Sequence, residues 1–163
     1  MILNRNLLLQ AAPIKEMMTY KVQGLPTSYG LSEGGYDIRL KQNIWFSGNT
    51  YLSTNTYHSI DGQTGWGNFC LASAMEEFEM PEHLIGFVFN KSTWARQGLN
   101  VFTTVIEPGW KGFLTLELAH HGPNNIDLPV GCGIAQVIFC ELAQVSQYEG
   151  KYQNQADMPM PAR

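Results

Sequence analysis

Hydroxyl and basic side chains are concentrated in the segment 90–99, the part of the sequence best equipped to bind an anion. Lys91 and Arg96 bracket the hydroxyls of Ser92 and Thr93. Two cations, two hydroxyl donors and the neighbouring backbone N–H groups can bind phosphate oxygens together. The same residue types also occur where a Ser or Thr caps an ordinary surface helical turn. The segment therefore predicts either a phosphate-binding loop or a capped turn.

An acidic side chain on an apolar strand is the second chemical feature. Within residues 113–118, Thr115 and Glu117 lie on one face of a predicted strand, and three leucines lie on the other. A carboxylate buried without a partner costs free energy, so its presence on such a strand calls for a reason. Glu117 is therefore a candidate for taking and returning a proton during a reaction. The alternative is an ion pair with Arg96, in which Glu117 has a structural role.

Three shorter motifs supply further polar side chains. Glu107 and Trp110 enclose a Pro-Gly pair, which forces a turn directly before the strand just described. Gln136 is a lone amide in an apolar strand and needs a hydrogen-bonding partner. The tail adds Lys151 and Gln155. The alternatives are that Trp110 is a plain core residue and that Gln136 satisfies a neighbouring backbone group.

The elements that position these side chains are predicted to be mainly β-strands. A short helix is expected from Asn4 to about Ala12, where Pro13 ends it, and a second helical turn or two from Ile14 to Tyr20. Beyond them, Gly, Asn, Ser and Pro recur at intervals of about eight to twelve residues, a pattern typical of an antiparallel sandwich or barrel. The predicted strands are Tyr36–Leu40, Ile44–Phe46, Phe69–Ser73, Leu84–Phe89, Val101–Thr104, Gly112–Leu118 and Gly133–Glu141.

Other segments are predicted to have no chemical role. The acidic run 75–81 indicates a turn or strand margin, with a solvated loop favoured. His120 and His121 precede Gly-Pro and predict a surface turn, or opposite faces of a strand, in preference to a metal site. The three cysteines lie in apolar contexts and predict buried thiols in a reducing compartment, so the cytosol is expected.

Length and composition restrict the class of protein. The chain has 163 residues, enough for one domain over 1–163, with 44% of its residues apolar and 15% charged. A net charge of -4 argues against broad binding to a nucleic-acid backbone. No apolar run approaches the roughly 20 residues that a membrane span needs. The polar tail 148–163 has no core of its own, so we expect it to order over the site.

Taken in order, these motifs resemble the dCTP deaminase family. The segment Lys91–Arg96, the Glu-Pro-Gly-Trp turn, the Thr-Leu-Glu strand, the Gly-Ile-Ala-Gln strand and the Lys-Tyr-Gln-Asn-Gln tail follow the family's pattern, as does Ser28–Arg39. The resemblance covers about residues 28–155. It implies a mainly β subunit, a distorted β-barrel or jelly-roll of the dUTPase-like type with one or two short N-terminal helices. It also implies hydrolysis of dCTP to dUTP and ammonia by a homotrimer with sites between subunits.

Carried over position by position, the resemblance also implies roles for the polar residues. Glu117 would be the catalytic carboxylate, Ser92 would help hold the attacking water, and Arg96 would stabilise the polarised intermediate. The shortened loop from Tyr148 to Lys151 departs from the family. The implied nucleotide-binding set is Lys91, Ser92, Thr93, Arg96, Glu107, Trp110, Thr115, Leu116, Glu117, Gln136, Tyr148, Lys151 and Gln155.

The expected reaction needs no zinc, because the sequence lacks the H-x-E and P-C-x-x-C signature of zinc nucleobase deaminases. Mg²⁺ is expected on the triphosphate, held mainly by the ligand and water. The same fold serves dUTPases, so a dUTPase or a bifunctional enzyme releasing dUMP and pyrophosphate is the alternative. A non-catalytic nucleotide-binding homologue is a third reading. Inhibition by dTTP and the exact substrate stay open, since Phe102 and Val105 stand where the family often has smaller or polar groups.

Overall fold

The computed structural model of the chain describes residues 1–48, 56–59 and 64–162, and most of these residues are in or between antiparallel β-strands. The two helices in these ranges are α1 (Arg5–Ala11) and α2 (Ser92–Ala95). The strands are β1 (Ile2–Leu3), β2 (Lys21–Val22), β3 (Tyr29–Leu31), β4 (Tyr36–Arg39), β5 (Ile44–Phe46), β6 (Thr56–Ser59), β7 (Thr64–Trp66), β8 (Phe69–Glu79), β9 (Leu84–Asn90), β10 (Leu99–Val101), β11 (Val105–Ile106), β12 (Lys111–His120), β13 (Ile126–Leu128) and β14 (Gly133–Glu141).

The described strands form three sheets. The largest has the order β11-β9-β14-β4-β3-β2, with β1 also paired to β14. A second sheet has the order β10-β12-β8, and a third has the order β13-β5-β6-β7. The mainly β fold class is therefore confirmed, and a distorted jelly-roll describes these sheets better than one closed barrel.

The core lies between the inward faces of these sheets. Its largest fully buried side chains include Tyr36, Phe46, Phe78 and Phe139. Along β14 the inward residues are apolar, and Gln136 falls on the opposite, half-buried face. Because side chains alternate along a strand, this pattern places the lone amide outside the core.

The N-terminal helix is confirmed, but the second helical turn predicted from Ile14 to Tyr20 is wrong. Ala12 ends α1 in a left-handed conformation, and its N–H donates to the Leu8 carbonyl at 3.1 Å. Ile14 then forms an antiparallel bridge to Phe78. The apolar residues of this stretch pack beside a long strand, so tertiary pairing overrides the helical spacing.

The acidic run 75–81 is also not a solvated loop, because β8 continues through it to Glu79. Glu76 is 4% exposed, and its carboxylate accepts hydrogen bonds from Nε and the backbone N–H of Arg39, both at 2.8 Å. Burial raises the pKa of Glu76, and Arg39 acts in the opposite direction. The ion pair with Arg39, which is far away in the sequence, thus allows the acidic side chain of Glu76 to be buried.

Two other predictions need correction. The strand predicted at Val101–Thr104 instead ends at Val101, and a separate strand begins at Val105. His120 is the fully buried last residue of β12, where its Nε2 lies 2.8 Å from the Asn124 carbonyl. The surface turn expected at His120 is therefore wrong, and the alternative of a continuing strand is right.

The three cysteines are free thiols, and two of the three are buried as predicted. Cys70 and Cys132 are buried free thiols, and burial raises the pKa of each to about 12. Cys140 is free and half-buried. Neither helix in the described part of the chain has the length and apolar character needed to cross a bilayer.

Candidate active site

A cavity of about 570 Å³ opens beside β12 and contains much of the predicted site. Its walls come from β8, the segment around β11, β12 and the C-terminal tail. Predicted residues that line it are Glu107, Trp110, Thr115, Glu117, Tyr148 and Gln155. Several of the other lining residues are apolar, among them Phe69, Leu71, Val105, Ile106, Leu114 and Met160. We call this space the apolar cavity.

Glu117 is a charged group on the wall of the apolar cavity. It pairs directly with Leu71 across the β12–β8 ladder, so an apolar side chain flanks the carboxylate. Glu117 is half-buried, and its Oε2 accepts a hydrogen bond from Thr104 Oγ1 at 3.3 Å. No ion pair joins Glu117 to Arg96 within the residues that the structure describes. The carboxylate is thus available to a ligand in the cavity.

Trp110 connects the apolar cavity to both the core and the tail. Its ring is 5% exposed and lies 6.1 Å from the Phe78 ring, centroid to centroid. Its Nε1 donates to the Tyr152 carbonyl at 2.7 Å. Gly109, directly before it, has φ 71°, a backbone conformation that favours glycine. Trp110 is therefore a core residue that also fixes the tail beside the cavity.

The tail makes its most direct contact with the cavity at Thr115, which is 8% exposed. Gln155 Nε2 donates to Thr115 Oγ1 at 2.5 Å, and the Met160 N–H donates to the same oxygen at 3.1 Å. Gly112 makes this close approach possible, since a Cβ there would lie 2.5 Å from the backbone nitrogen of Gln155. The tail thus packs on its own chain and forms one wall of the cavity.

A second cavity of about 360 Å³ is strongly polar, and we call it the polar cavity. The described residues that line the two cavities have no member in common. Predicted site residues on its wall are Lys91, Ser92, Thr93 and Gln136. The others are Lys21, Thr27, Ser28, Asp37 and Asn90.

Helix α2 determines which residues of the segment 90–99 face the polar cavity. Lys91, not a hydroxyl residue, occupies the N-cap position of α2, and no side chain makes a capping hydrogen bond there. Trp94 is buried and donates Nε1 to the Gly133 carbonyl at 2.8 Å. Because Trp94 anchors α2, the exposed hydroxyls of Ser92 and Thr93 stay at the cavity. The capped-turn reading of this segment is not supported.

A buried acid from the Ser28–Arg39 motif, for which no role was predicted, lines the polar cavity. Asp37 is 2% exposed, and its Oδ2 lies 2.5 Å from Lys91 Nζ. Its Oδ1 accepts a hydrogen bond from Gln136 Nε2 at 3.2 Å. Asp37 lies on β4, and its pairing with Gln136 of β14 explains why these two side chains are in contact.

Three predicted site residues lie on the wall of neither cavity. Arg96 is exposed at the C-terminal end of α2. The Leu116 side chain is 1% exposed in the core, so its contribution to a site would come from its backbone. Lys151 is exposed, and its Nζ lies 5.0 Å from the centre of the Tyr152 ring. Thr104 is not among the predicted site residues, and it does line the apolar cavity.

The donor set of the polar cavity suits phosphate oxygens better than a bare cation. Lysine, hydroxyl and amide groups supply donors, whereas the carboxylate of Asp37 is already paired with Lys91. Among the described residues, no group of three or more His, Cys, Asp and Glu side chains could hold a metal ion. A Mg²⁺ ion arriving on a triphosphate would keep its phosphate and water ligands, which fits this arrangement.

Comparison with known proteins shows the family to which the chain belongs. Residues 8–142 match the family model described as dCTP deaminase-like, so the chain belongs to the dCTP deaminase-like family. A relative from Chlamydia caviae named dCTP deaminase is 36% identical over 150 residues, which cover 82% of this chain and 79% of the relative. A second relative of that name, from Roseiflexus castenholzii, is 32% identical and covers 91% of this chain and 89% of its own length.

Solved structures show likeness of fold. The 2'-deoxycytidine 5'-triphosphate deaminase from Agrobacterium tumefaciens superposes with a TM-score of 0.56 at 16% identity, over 85% of this chain and 47% of that one. The native dUTPase of EIAV gives a TM-score of 0.53 at 20% identity, over 87% of this chain and 93% of that one. The expected dUTPase-like fold is therefore confirmed.

Proposed function

We propose that this protein hydrolyses dCTP to dUTP and ammonia, as its membership of the dCTP deaminase-like family suggests. The observation that carries the proposal is the carboxylate of Glu117 on the wall of a largely apolar cavity. Such a cavity can enclose a pyrimidine and limit the access of bulk water. A single carboxylate there can accept a proton and then return it.

The reaction requires one water molecule, and both of its protons are transferred. Glu117 takes the first proton from water as the oxygen forms a bond to C4 of cytosine. That proton is then delivered to the exocyclic nitrogen, the C4–N bond breaks, and ammonia leaves. The remaining hydroxyl proton moves to N3 of the ring, so the product carries a carbonyl at C4 and is dUTP. Ser92 helps hold the water, and Arg96 stabilises the negative charge of the intermediate.

We further propose that two copies of the chain complete each site in a homotrimer. Support comes from the separation of the two cavities, since Glu117 lines one and the hydroxyls of Ser92 and Thr93 line the other. Exposed Phe69 and Val105 on the wall of the apolar cavity also suggest a surface that a second copy covers. The arginine assigned to the intermediate would then arrive from the neighbouring subunit.

Nucleotide recognition is divided between the two cavities in this proposal. In the apolar cavity, Glu107 and Trp110 would contact the deoxyribose, and Thr115 with the Leu116 backbone would contact the base. Phosphates carrying Mg²⁺ would bind Lys91, Ser92, Thr93 and Gln136 of the polar cavity together with Tyr148, Lys151 and Gln155 of the tail. We place the reaction in the cytosol, in keeping with the buried free thiols.

Product analysis with a matched variant tests this function. Wild type and Glu117→Gln are incubated with dCTP, dCDP, dCMP, CTP or dUTP in the presence of Mg²⁺, and ammonia and nucleotides are quantified. We expect ammonia and dUTP from dCTP in the wild type. In Glu117→Gln the rate should fall by about 10²–10⁴ because the proton acceptor is lost. Nucleotide affinity should change little, because the amide keeps the size of the side chain.

Other products would identify the alternatives. Release of dUMP and pyrophosphate would show a dUTPase or bifunctional activity, for which Glu107 of the same cavity is the candidate carboxylate. Tight binding of dCTP without any product would show a non-catalytic homologue. Undiminished ammonia release by Glu117→Gln would remove Glu117 from the mechanism. Including dTTP in the same assay tests inhibition.

A further inference from the structure

The polar cavity contains a buried negative charge at the place where a polyanion is proposed to bind. Asp37 is 2% exposed, and its two oxygens contact Lys91 Nζ at 2.5 Å and Gln136 Nε2 at 3.2 Å. A carboxylate near phosphate groups weakens their binding by repulsion unless it serves another purpose. The reaction described above leaves Asp37 without a chemical role. Its contacts therefore have to explain its presence.

Strand pairing brings these three side chains together. Asp37 of β4 pairs with Gln136 of β14, so the two side chains project from the same face of the sheet. Asn90, at the end of β9, pairs with Ala135, and this places Lys91 at the edge of the same face. Neighbouring strands thus present a cation and an amide to one carboxylate.

Each group is held from more than one direction. Gln136 Nε2 also donates to Ser32 Oγ at 2.9 Å, and Ser32 Oγ accepts the Gly35 N–H at 3.2 Å. The Lys91 side chain is only 12% exposed, and its Cε lies 3.5 Å from where a Cβ on Gly133 would be. A lysine has many rotamers, and fixing one of them before a ligand arrives lowers the entropic cost of binding.

We propose that Asp37 is the positioning residue of the phosphate half of the site. It orients the Lys91 ammonium group so that its remaining N–H donors face the triphosphate, while the two N–H groups of the Gln136 amide donate to Asp37 and Ser32 and hold the carboxylate in place. This inference rests on the proposed function for the identity of the ligand. It assigns Asp37 no contact with the nucleotide, so its effect passes through Lys91.

The first test compares two neutralised carboxylates. Asp37→Asn keeps the shape and one acceptor but loses the charge that holds Lys91. We expect its KM for dCTP, and the Kd for dCTP measured by calorimetry, to rise about ten- to a hundredfold, with kcat within about threefold of wild type. The matched control is Glu76→Gln, which neutralises the buried ion-pair partner of Arg39, a residue on the same strand as Asp37. This control should leave KM unchanged within twofold.

A double-mutant cycle then asks whether Asp37 acts through Lys91. In the Lys91→Met background, Asp37→Asn should raise KM and Kd less than about twofold further, because the group it orients is gone. Full additivity of the two effects would overturn the proposal, as would tighter dCTP binding by Asp37→Asn. Equal KM increases in Asp37→Asn and Glu76→Gln would also overturn it, because they would show a general structural effect.

Two additions keep the outcome clear. If Asp37→Asn does not fold, Asp37→Glu replaces it in the same cycle. This variant keeps the charge but displaces it by one methylene. We expect a three- to tenfold rise in KM and Kd for dCTP, which is about what a misplaced hydrogen bond costs. An unchanged Kd in that variant would contradict the inference. Ammonia release by the wild type is measured first. If the wild type binds dCTP without deaminating it, the proposed function is wrong, but the Kd values from calorimetry still test the role of Asp37.

Discussion

The two cavities of this protein differ in the way that the two ends of a nucleotide differ. The apolar cavity, about 570 Å³, combines Glu117 with walls such as Phe69 and Leu71. The polar cavity, about 360 Å³, is lined mainly by lysine, hydroxyl and amide side chains. A base and sugar match the first environment, and a polyphosphate matches the second. The comparison supports the proposal that the chemistry and the binding of the phosphates take place on two different surfaces of the chain.

The two cavities are also stabilised differently. Contacts of the tail, such as that of Gln155 with Thr115, form one wall of the apolar cavity. The polar cavity is built on central strands, where the Asp37 carboxylate orders its neighbours. One wall can therefore change by movement of a chain terminus, while the other is fixed by the sheet. Variants should affect the two cavities in distinguishable ways.

A large loss of activity is expected from a change at Arg96, which is exposed in one chain and lines neither cavity there. Arg96→Ala should lower kcat for dCTP by about 10²–10³, because a cation that stabilises a developing negative charge is lost. Its thermal unfolding should match that of wild type, since an exposed side chain contributes little to stability. Steady-state ammonia assays and calorimetry measure both quantities.

The control is Gln97→Ala, an exposed neighbour that should keep full activity. Wild-type kcat in Arg96→Ala would separate α2 from the reaction.

A smaller and more local effect is expected from two buried tryptophans. Trp110 donates its indole N–H to Tyr152 of the tail, and Trp94 donates its own to Gly133 at the polar cavity. Trp110→Phe and Trp94→Phe should each lower the free energy of unfolding by about 1 kcal/mol, the net value of one hydrogen bond. Only Trp110→Phe should speed tryptic cleavage after Lys151, because it releases the tail.

Urea unfolding and timed digestion of the purified proteins check this pair. Equal cleavage rates in the two variants would contradict the view that Trp110, and not Trp94, holds the tail. Faster cleavage in Trp94→Phe than in Trp110→Phe would reverse the comparison.

The smallest effect concerns pH and Glu76, the buried acid of β8. Burial raises the pKa of Glu76 above its usual 4.5, so the folded protein holds this proton more tightly than the unfolded chain does. The stability that this provides is present below pH 4.5 and is lost as the pH rises through the folded-state pKa. Glu76→Gln, which stays neutral, should therefore gain stability relative to wild type as the pH rises across this window.

Glu79 on the same strand is the matched control with the opposite sign. A hydrogen bond from Lys111 lowers the pKa of Glu79 from 4.5, so its contribution is present above that pH and is lost as the pH falls. Glu79→Gln should lose stability relative to wild type as the pH rises. Urea midpoints of both variants and wild type between about pH 3 and 7 test the pair, and parallel curves would contradict it.

The sequence predicted the regular strands well and the long-range pairs poorly. Gly133–Glu141 and Ile44–Phe46 were predicted with their observed bounds, because apolar residues and flanking turns define them locally. The acidic run 75–81 was misread because the cation that permits its burial, Arg39, lies on another strand. The helical prediction for Ile14–Tyr20 is wrong for a similar reason, because Ile14 pairs with Phe78 of β8, which is far away in the sequence.

The candidate site shows the same limit. Glu117 could be selected from the alternation of a single strand, and the segment with Ser92 and Thr93 from its composition. Asp37 belongs to the Ser28–Arg39 motif, but its role could not be predicted, because its contact with Lys91 depends on the register of neighbouring strands. The division of the predicted site residues between two cavities could not be predicted either, because the spacing of residues in a sequence does not show which surfaces lie together in the fold.

Subunit mixing tests most directly whether two copies of the chain complete one site. Glu117→Gln and Arg96→Ala proteins, each nearly inactive alone, are unfolded together in equal amounts and refolded, and ammonia release from dCTP is measured. Random assembly places an intact Glu117 opposite an intact Arg96 at about one interface in four, so activity should return to roughly a quarter of that of refolded wild type. A mixture no more active than its two components would contradict a site shared between copies.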